Sequence, residues 1–198
     1  MDGSRKAAAH RDRIHSRITA LRAACDSLLA DAPAFVWEVG CGNGHFLAAY
    51  AAAHPDSLCV GIDRNPDRVG RAARKGERAG LENLHFLTAD SADFLAALPE
   101  RAVLSAIYLL FPDPWPKRRH RANRVLEPGF LSEAARRAGR GARLYFRTDD
   151  EPYFAEALGT VSRHPDWRPV VDSPWPFEAP TLFQLRAERF LSLTAERR

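Results

Sequence analysis

Apolar residues follow two alternating patterns along this chain: short continuous runs, and longer segments with apolar positions three or four residues apart. Continuous runs at residues 35–39, 58–62, 84–88, 103–110 and 142–146 predict buried strands. Helical spacing predicts helices over residues 44–53, 66–79, 94–98, 126–138 and 150–162. Strands that alternate with helices in this way form a parallel sheet with helices on both faces, so the predicted fold class is doubly wound α/β.

The two ends of the chain carry different patterns. Residues 5–30 have apolar side chains at helical spacing from Ile14 to Leu28, among many basic residues, which predicts a basic amphipathic helix. Its basic face either contacts RNA or is simply solvated. At the other end, apolar runs at residues 167–171 and 183–193 predict a terminal antiparallel pair of strands.

Capping residues predict individual helix boundaries. Asn65 followed by Pro66 indicates an N-cap with proline in the first turn, and Gly80 indicates the end of the same helix. Thr148 to Glu151 reads T-D-D-E, which matches a capping box and predicts Thr148 as the N-cap of the next helix.

A glycine-rich turn follows the first predicted strand, where residues 38–45 read E-V-G-C-G-N-G-H. Glycine lets the backbone turn tightly and approach a ligand without interference from a Cβ atom. Gly40, Gly42 and Gly44 are therefore candidate cofactor-binding residues. A plain strand-to-helix turn would also suit glycines, so the turn alone does not decide between the two interpretations.

Acidic residues stand at the ends of the first three strands: Glu38, Asp63 and Asp90. An acid at the end of the second strand can accept ribose hydroxyls, Asp90 can reach an adenine amino group, and Glu38 can face a cationic amine. A phosphate-free, cationic nucleoside cofactor matches this set, and S-adenosylmethionine (SAM) fits it better than NAD does. Each acid could instead cap a helix, Asp63 least readily because Asn65 already has that role.

A proline-rich segment follows the fourth strand and reads F-P-D-P-W-P-K-R-R-H from Phe111. Each proline pushes the residue before it towards extended geometry, so we expect Phe111, Asp113 and Trp115 to be extended. Asp113 then lies just past the carboxyl end of a strand, where open α/β sheets bind ligands. Trp115 either packs against the sheet edge or stacks on a base.

A basic tract over residues 117–124 follows directly, and its position after the candidate site favours binding to RNA phosphates over an ordinary solvated charge run. The candidate RNA-contacting residues are Arg118, Arg119, His120, Arg121 and Arg124.

Composition narrows the class of protein. The chain has 198 residues, 45% of them hydrophobic, and a formal charge of +4 from 29 basic and 25 acidic side chains. These values suit a single folded domain over residues 33–198 with an N-terminal extension over residues 1–32. The three cysteines show no metal-binding or disulfide spacing, and no apolar run is long enough to cross a bilayer. We expect a soluble cytoplasmic protein with no metal and no membrane partner.

Taken together, the glycine turn, the acids and F-P-D-P-W-P-K-R-R-H resemble the bacterial tRNA (guanine-N7)-methyltransferase family over about residues 35–190. R-T-D-D-E-P-Y is similar to the T-D-x-x-x-Y segment of that family. The resemblance implies a Rossmann-like class I methyltransferase fold, with a mostly parallel sheet and a C-terminal antiparallel strand. It also implies methyl transfer from SAM to N7 of a guanine in the tRNA variable loop, at nucleotide position 46.

The resemblance also implies roles for individual residues. Asp113 would be the catalytic acid and would lie around SAM with Glu38, Asp63 and Asp90. Candidate substrate-binding residues are Lys117, Asp149, Thr181 and Gln184. Residues 180–184 read P-T-L-F-Q where the family usually has T-K-F-E, so Leu182 and Gln184 replace a lysine and a glutamate.

The chemistry of the base suits such a site. Guanine N7 is a lone-pair acceptor without a proton to remove, so positioning and charge complementarity matter more than a strong general base. Two alternatives remain: a SAM-dependent methyltransferase for another RNA base or a small nucleophile, and a non-catalytic RNA-binding module with a vestigial cleft. The sequence leaves open whether the protein is a monomer or a homodimer.

Overall fold

The structure is a computed structural model that describes residues 2–31, 34–179, 184, 187 and 189–198, with side chains from residue 15 onward. The helices are α1 (Asp2–Leu28), α2 (His45–Ala53), α3 (Pro66–Arg78), α4 (Ser91–Ala97), α5 (Pro128–Arg137) and α6 (Glu151–Arg163), and a 3-10 helix covers Arg118–Asn123. The strands are β1 (Ala34–Val39), β2 (Cys59–Asp63), β3 (Leu84–Thr88), β4 (Val103–Leu110), β5 (Ala138–Thr148), β6 (Trp167–Val170) and β7 (Leu191–Arg197).

The strands form a seven-stranded sheet in the order β3-β2-β1-β4-β5-β7-β6. The first five strands are parallel, β7 is antiparallel to β5, and β6 is antiparallel to β7. The chain order reverses between β1 and β4, and such a switch point opens a crevice at the carboxyl ends of the strands. The predicted Rossmann-like fold, with its doubly wound, mostly parallel sheet, is therefore confirmed.

Most predicted elements match the structure within a few residues, but the last strand does not. Sequence runs predicted it over residues 183–193, whereas β7 spans Leu191–Arg197 and pairs Leu193 with Phe146 of β5. Four residues of the predicted span, 183, 185, 186 and 188, lie outside the described part of the chain. Strand β5 also begins earlier than expected, since Ala138 already pairs with Leu104 of β4.

Side chains of β1 alternate between two core layers. Phe35, Trp37 and Val39 pack into a large cluster on one face, with contributions from α1, α4, α5 and α6. Val36 points into a second cluster on the other face, which includes Phe46 of α2 and several aromatic residues. This alternation follows from the two-residue period of a strand, and burial on both faces is typical of a parallel sheet.

Helix α1 joins the large core cluster through its C-terminal half. Leu21 and Cys25 are buried there, together with Leu29 directly after the helix. Two basic side chains of this half also bind α4, because Arg17 forms an ion pair with Asp93 and Arg22 donates to the carbonyl oxygen of Ala96. The division of the chain at residues 32 and 33 stays a prediction. Within the described residues, no helix is both long and apolar enough to span a bilayer.

Two of the predicted caps are confirmed and one is wrong. The Asn65 side chain accepts from the backbone N–H groups of Asp67 and Arg68, and Gly80 has a φ of 65°. The N-cap of α6 is Asp150, whose carboxylate accepts from Tyr153 N. Thr148 accepts from Asp150 N and so supports the turn before the cap rather than capping the helix itself.

Candidate functional site

The glycine turn between β1 and α2 requires left-handed backbone geometry. Gly40, Gly42 and Gly44 have φ angles of 73°, 55° and 66°. At Gly44 a Cβ atom would also lie 2.6 Å from the Phe86 ring and 2.7 Å from the Ala72 Cβ. A side chain at Gly44 would therefore be both strained and too close to β3 and α3.

Asp63 holds this turn in place from the end of β2. Its Oδ2 accepts from Gly42 N at 3.0 Å, and its Oδ1 accepts from Asn65 N at 2.8 Å. The carboxylate is 7% exposed, so a charged group is kept close to the sheet edge by two backbone donors. Each carboxylate oxygen has a second lone pair, which leaves Asp63 able to accept from a ligand hydroxyl as well.

Glu38 is a buried carboxylate beside the same turn. One interaction comes from the backbone N–H of Leu47 in the first turn of α2, a position that favours negative charge. Its Oε2 is buried and has no hydrogen-bond partner among the described residues. Burial is the main cause that raises the pKa of Glu38 to about 8. The protonation state of Glu38 therefore depends on the charge of the group that approaches it.

The sequence interpretation missed Asn43 and Lys75 as supports of the turn. Lys75 Nζ reaches back from α3 and donates to the carbonyl oxygen of Asn43 at 2.8 Å. Asn43 Oδ1 is buried without a partner within the described part of the chain. Asn43 lies inside the glycine motif and could have been singled out there, whereas nothing in the sequence pattern of α3 distinguishes Lys75.

A cavity of about 400 Å³ opens at the carboxyl ends of β1, β2 and β3. Among the predicted cofactor residues, Gly40, Asp63 and Asp90 line it. Its other wall comes from the end of the basic tract and the residues after it, including Arg124, Gly129 and Phe130. A cavity of this size and mixed lining is typical of small-molecule sites. Asp90 also caps α4, since its Oδ1 accepts from Asp93 N at 2.9 Å. The sequence leaves a helix cap open as an alternative role for each acid, and Asp90 has that role.

The proline-rich loop after β4 differs from the extended run that the sequence predicts. Phe111 and Trp115 have φ angles of 51° and 45°, in the left-handed region. Both precede a proline, and left-handed geometry is costly for a bulky residue. The loop is held at its start by Phe111 N, which donates to the carbonyl oxygen of Arg147 at 2.8 Å. The expectation for these two residues was wrong because it considered only the effect of the following proline.

Asp113 lies in this loop and is exposed. It forms no hydrogen bond or ion pair with the described residues. Lys117 and Asp149 are exposed as well. Within the part of the chain that the structure describes, none of these three lines the cavity, and neither do Glu38, Gly42 and Gly44. The cavity thus brings together only part of the predicted constellation.

The basic tract forms the 3-10 helix Arg118–Asn123. Arg118, Arg119 and Arg121 are exposed, as phosphate-binding residues must be. His120 is half-buried, and its ring packs edge-on against Trp115 with 5.7 Å between the ring centroids. Trp115 is half-buried too, so neither of its two sequence interpretations is decided.

Arg124 is not the surface cation that the sequence predicts. It is 4% exposed, and Nε donates to the carbonyl oxygen of Pro114 at 2.7 Å. Its Nη1 pairs with Glu156 at 2.5 Å, and its guanidinium lies 4.5 Å from the centre of the Tyr153 ring. The prediction that Arg124 contacts RNA is therefore corrected: the side chain is buried and links the loop after β4 to α6 through its internal partners.

Arg147 is a second buried arginine that the sequence interpretation missed. Its guanidinium stacks on Trp175 at 3.7 Å, and Nη1 donates to Glu178 at 2.8 Å. Nη1 also lies 3.5 Å from Gln184 Oε1, so this predicted substrate residue contacts Arg147. Thr181 and Leu182 lie outside the described residues.

Comparisons with known proteins agree with this geometry. A family model described as putative methyltransferase matches residues 31–186. A tRNA (guanine-N(7)-)-methyltransferase of Rubrobacter xylanophilus is 36% identical over 138 residues, which is 70% of this chain and 61% of the relative. One from Rhodospirillum rubrum is 36% identical over 137 residues, 69% of this chain and 53% of the relative. The chain therefore spans less than two thirds of the length of these curated relatives.

A solved structure, an rRNA methylase from Streptococcus thermophilus, has a TM-score of 0.56 and 17% identity, and the match covers 88% of this chain and 93% of that one. This likeness supports the fold. The family model covers well over half of the sequence, and the chain belongs to this methyltransferase family together with the bacterial tRNA (guanine-N(7)-)-methyltransferases.

Proposed function

We propose that the protein transfers the methyl group of SAM to N7 of a guanine in tRNA, in the cytoplasm, and that the guanine lies in the variable loop at position 46. The observation that carries this proposal is the cavity in which Gly40, Asp63 and Asp90 meet at three consecutive strand ends, with the last residues of the basic tract in the adjoining wall. Membership of the family and the names of the relatives support this reaction and this substrate.

The residues present fit SAM in charge and in hydrogen-bonding type. Asp63 offers free lone pairs to the ribose hydroxyls, and Asp90 offers its second oxygen to the adenine. The buried Oε2 of Glu38 and Oδ1 of Asn43 have no donor among the residues that the structure describes, and acceptors of this kind suit a ligand that carries an ammonium group. When bound, SAM supplies a methyl group on a cationic sulfur that is ready for displacement.

The role of Asp113 follows from how the charges change. Transfer to the N7 lone pair would leave the electron pair of the carbon–sulfur bond on the sulfur of the departing cofactor. No proton leaves N7, so the base gains positive charge. An ionised Asp113 beside the base stabilises that growing charge and accepts from the N1–H and amino group of guanine.

Exposed groups around Asp113 bind the rest of the substrate. Arg118, Arg119 and Arg121, with His120 beside them, bind phosphates of the RNA, and Lys117 and Asp149 contact the nucleotide near the reacting base. Thr181 completes this set in the family pattern, and Gln184 stands where the family usually has a glutamate. Asp113 has no partner among the described residues, so it is free to accept from an incoming base.

Incubation of the protein with labelled SAM and unmodified tRNA transcript, followed by mapping of the labelled nucleoside, tests the proposal directly. We expect 7-methylguanosine at one position in the variable loop. Asp113→Ala should still bind SAM in calorimetry while its turnover falls to about 1% or less. Asp56→Ala, which removes another exposed acid, is the matched control and should retain turnover. Label at a different base, or full turnover by Asp113→Ala, would refute the respective part of the proposal.

A further inference from the structure

Arg124 connects three parts of the site through one guanidinium group. Nε holds the carbonyl oxygen of Pro114, the residue that follows Asp113, at 2.7 Å. Nη1 pairs with Glu156 of α6 at 2.5 Å, and Nη2 lies 3.8 Å from Asp150, the N-cap of that helix. The same side chain lines the 400 Å³ cavity together with Asp63 and Asp90.

The loop that Arg124 holds does not have low-energy backbone geometry of its own. Phe111 and Trp115, on either side of Asp113, both have left-handed φ angles. Such geometry persists only where surrounding contacts impose it. The hydrogen bond from Arg124 to Pro114 is such a contact, and it holds the loop directly after Asp113.

Arg124 is itself firmly fixed. Its side chain is 2% exposed, and it lies over the Tyr153 ring. Tyr153 in turn accepts from Leu126 N through its hydroxyl at 3.2 Å. A planar guanidinium can donate in several fixed directions at once, whereas a lysine ammonium cannot reach Pro114 and Glu156 in the same way.

We propose that Arg124 is a positioning residue that sets where Asp113 stands relative to the cofactor cavity, by fixing the Pro114 carbonyl oxygen. The proposal rests on the proposed methyl transfer at Asp113. Arg124 touches neither RNA nor the reacting atoms in this role. It acts through the loop, and its contribution is to the rate of the chemical step.

Arg124→Lys tests this role, with Tyr153→Phe as the matched control. The control removes the buried hydroxyl bond to Leu126 N but keeps the ring and the Arg124–Pro114 bond, so it costs stability without freeing the loop. For Arg124→Lys, we expect kcat to fall about 30- to 100-fold, the effect of a misplacement near 1 Å. The KM for tRNA and the Kd for SAM should change by less than about threefold, because ground-state binding is kept.

Three results would overturn the proposal. A raised KM for tRNA with unchanged kcat would make Arg124 an RNA contact. Loss of kcat no greater than in Tyr153→Phe at equal thermal stability would make it purely structural. Should Arg124→Lys fail to fold, Arg124→Met keeps an apolar stem over Tyr153 and removes every donor to Pro114, and unchanged kcat in that variant would have the same meaning.

A second readout separates this proposal from the proposed function. Trypsin cleaves after exposed basic residues, and the segment 117–121 follows the loop directly. We expect cleavage there to be at least about fivefold faster in Arg124→Lys than in Tyr153→Phe, because the local opening free energy is lower. Equal rates would overturn the role of Arg124 whether or not the protein methylates tRNA. A wild-type protein without methyl transfer, but with the expected cleavage pattern, would refute only the function.

Discussion

The two halves of the sheet's carboxyl edge are stabilised in different ways. At β1, β2 and β3, backbone N–H groups bind each acid: Leu47 N binds Glu38, Gly42 N binds Asp63 and Asp93 N binds Asp90. At β4 and β5, Asp113 has no such donor within the described residues and is exposed. The loop there is held by the guanidinium group of buried Arg124 and by the backbone carbonyl oxygen of Arg147.

The difference corresponds to the size of the ligand that each half is proposed to bind. A small cofactor needs a cavity that exists before it arrives, and backbone donors from a tight turn provide one with little loss of freedom on binding. An RNA substrate brings its own large, charged surface, so the residues that meet it stay solvated until it binds. We call the β1–β3 side the cofactor half and the β4–β5 side the substrate half. Single substitutions in the cofactor half should change the affinity for SAM, whereas salt should change the affinity of the substrate half for tRNA.

Removing Asp63 should give the largest effect, and it falls on the cofactor half. Asp63→Ala loses the acceptor for a ribose and leaves Gly42 N and Asn65 N without their partner. Because hydrogen bonds to a charged group are worth about 1.5–3 kcal/mol each, we expect SAM affinity to fall about 100-fold. Calorimetric titration of the variant with SAM measures this.

The control for Asp63 is Asp67→Ala, which removes an exposed acid from the first turn of α3. It should leave SAM affinity within about twofold of wild type, since surface substitutions of this kind have small effects. If Asp63→Ala bound SAM as tightly as Asp67→Ala does, the cofactor half would not depend on its backbone-held acids and the comparison would fail.

The same contrast explains how far the sequence could predict the site. The glycine turn and Asp63 are local features, separated by one helix and held by backbone bonds, and sequence spacing located both correctly. Arg124 and Arg147 act through partners many residues away, such as Glu156 and Glu178. A basic residue in a basic tract gives no sign that it will be buried, so Arg124 was predicted as an RNA contact.

Element types followed from periodicity throughout the parallel sheet, because a strand buried on both faces is a continuous apolar run. Prediction was poorer where long-range contacts decide the backbone. Phe111 and Trp115 adopt left-handed angles that local proline rules disfavour, and β7 begins at Leu191 rather than at residue 183. Phe111 N donates to the carbonyl oxygen of Arg147 in β5, and β7 pairs along β5, so at these two places pairing with β5 prevails over the local signal.

Glu38 should give the next largest effect, as a dependence of SAM affinity on pH. With its pKa raised to about 8 by burial, Glu38 is mostly protonated below that pH in the free protein. A cationic ammonium group nearby favours the charged form, so binding should release a proton. Affinity should then rise with pH between 6 and 8, by up to about tenfold per unit. Calorimetry in buffers of different ionisation enthalpy counts the released proton.

Glu38→Gln serves as the control, since it keeps the shape and removes the titration. Its SAM affinity should be flat over the same range, and a slope equal to wild type would exclude Glu38 as the source. The ligand-free stability gives a second check. In the unfolded chain the group ionises near its ordinary value of about 4.3, so the folded state binds one more proton between that pH and about 8. Wild-type stability should therefore fall as pH rises through this window, relative to Glu38→Gln.

Salt tests the substrate half and should give the smallest effect per residue. Arg118→Ala and Arg119→Ala each remove an exposed cation from the basic tract, so tRNA affinity should fall modestly at low salt. The slope of log affinity against log salt should become shallower by about 0.7 to 0.9 for each RNA phosphate that the variant no longer binds. Filter binding at a series of salt concentrations measures this slope.

Arg78→Ala, which removes an exposed arginine of α3, is the control and should leave the slope unchanged. SAM affinity should be insensitive to salt in every variant. If Arg118→Ala and Arg119→Ala behaved like Arg78→Ala, RNA would bind elsewhere, and the exposed charges beside Asp113 would serve only to keep that surface solvated.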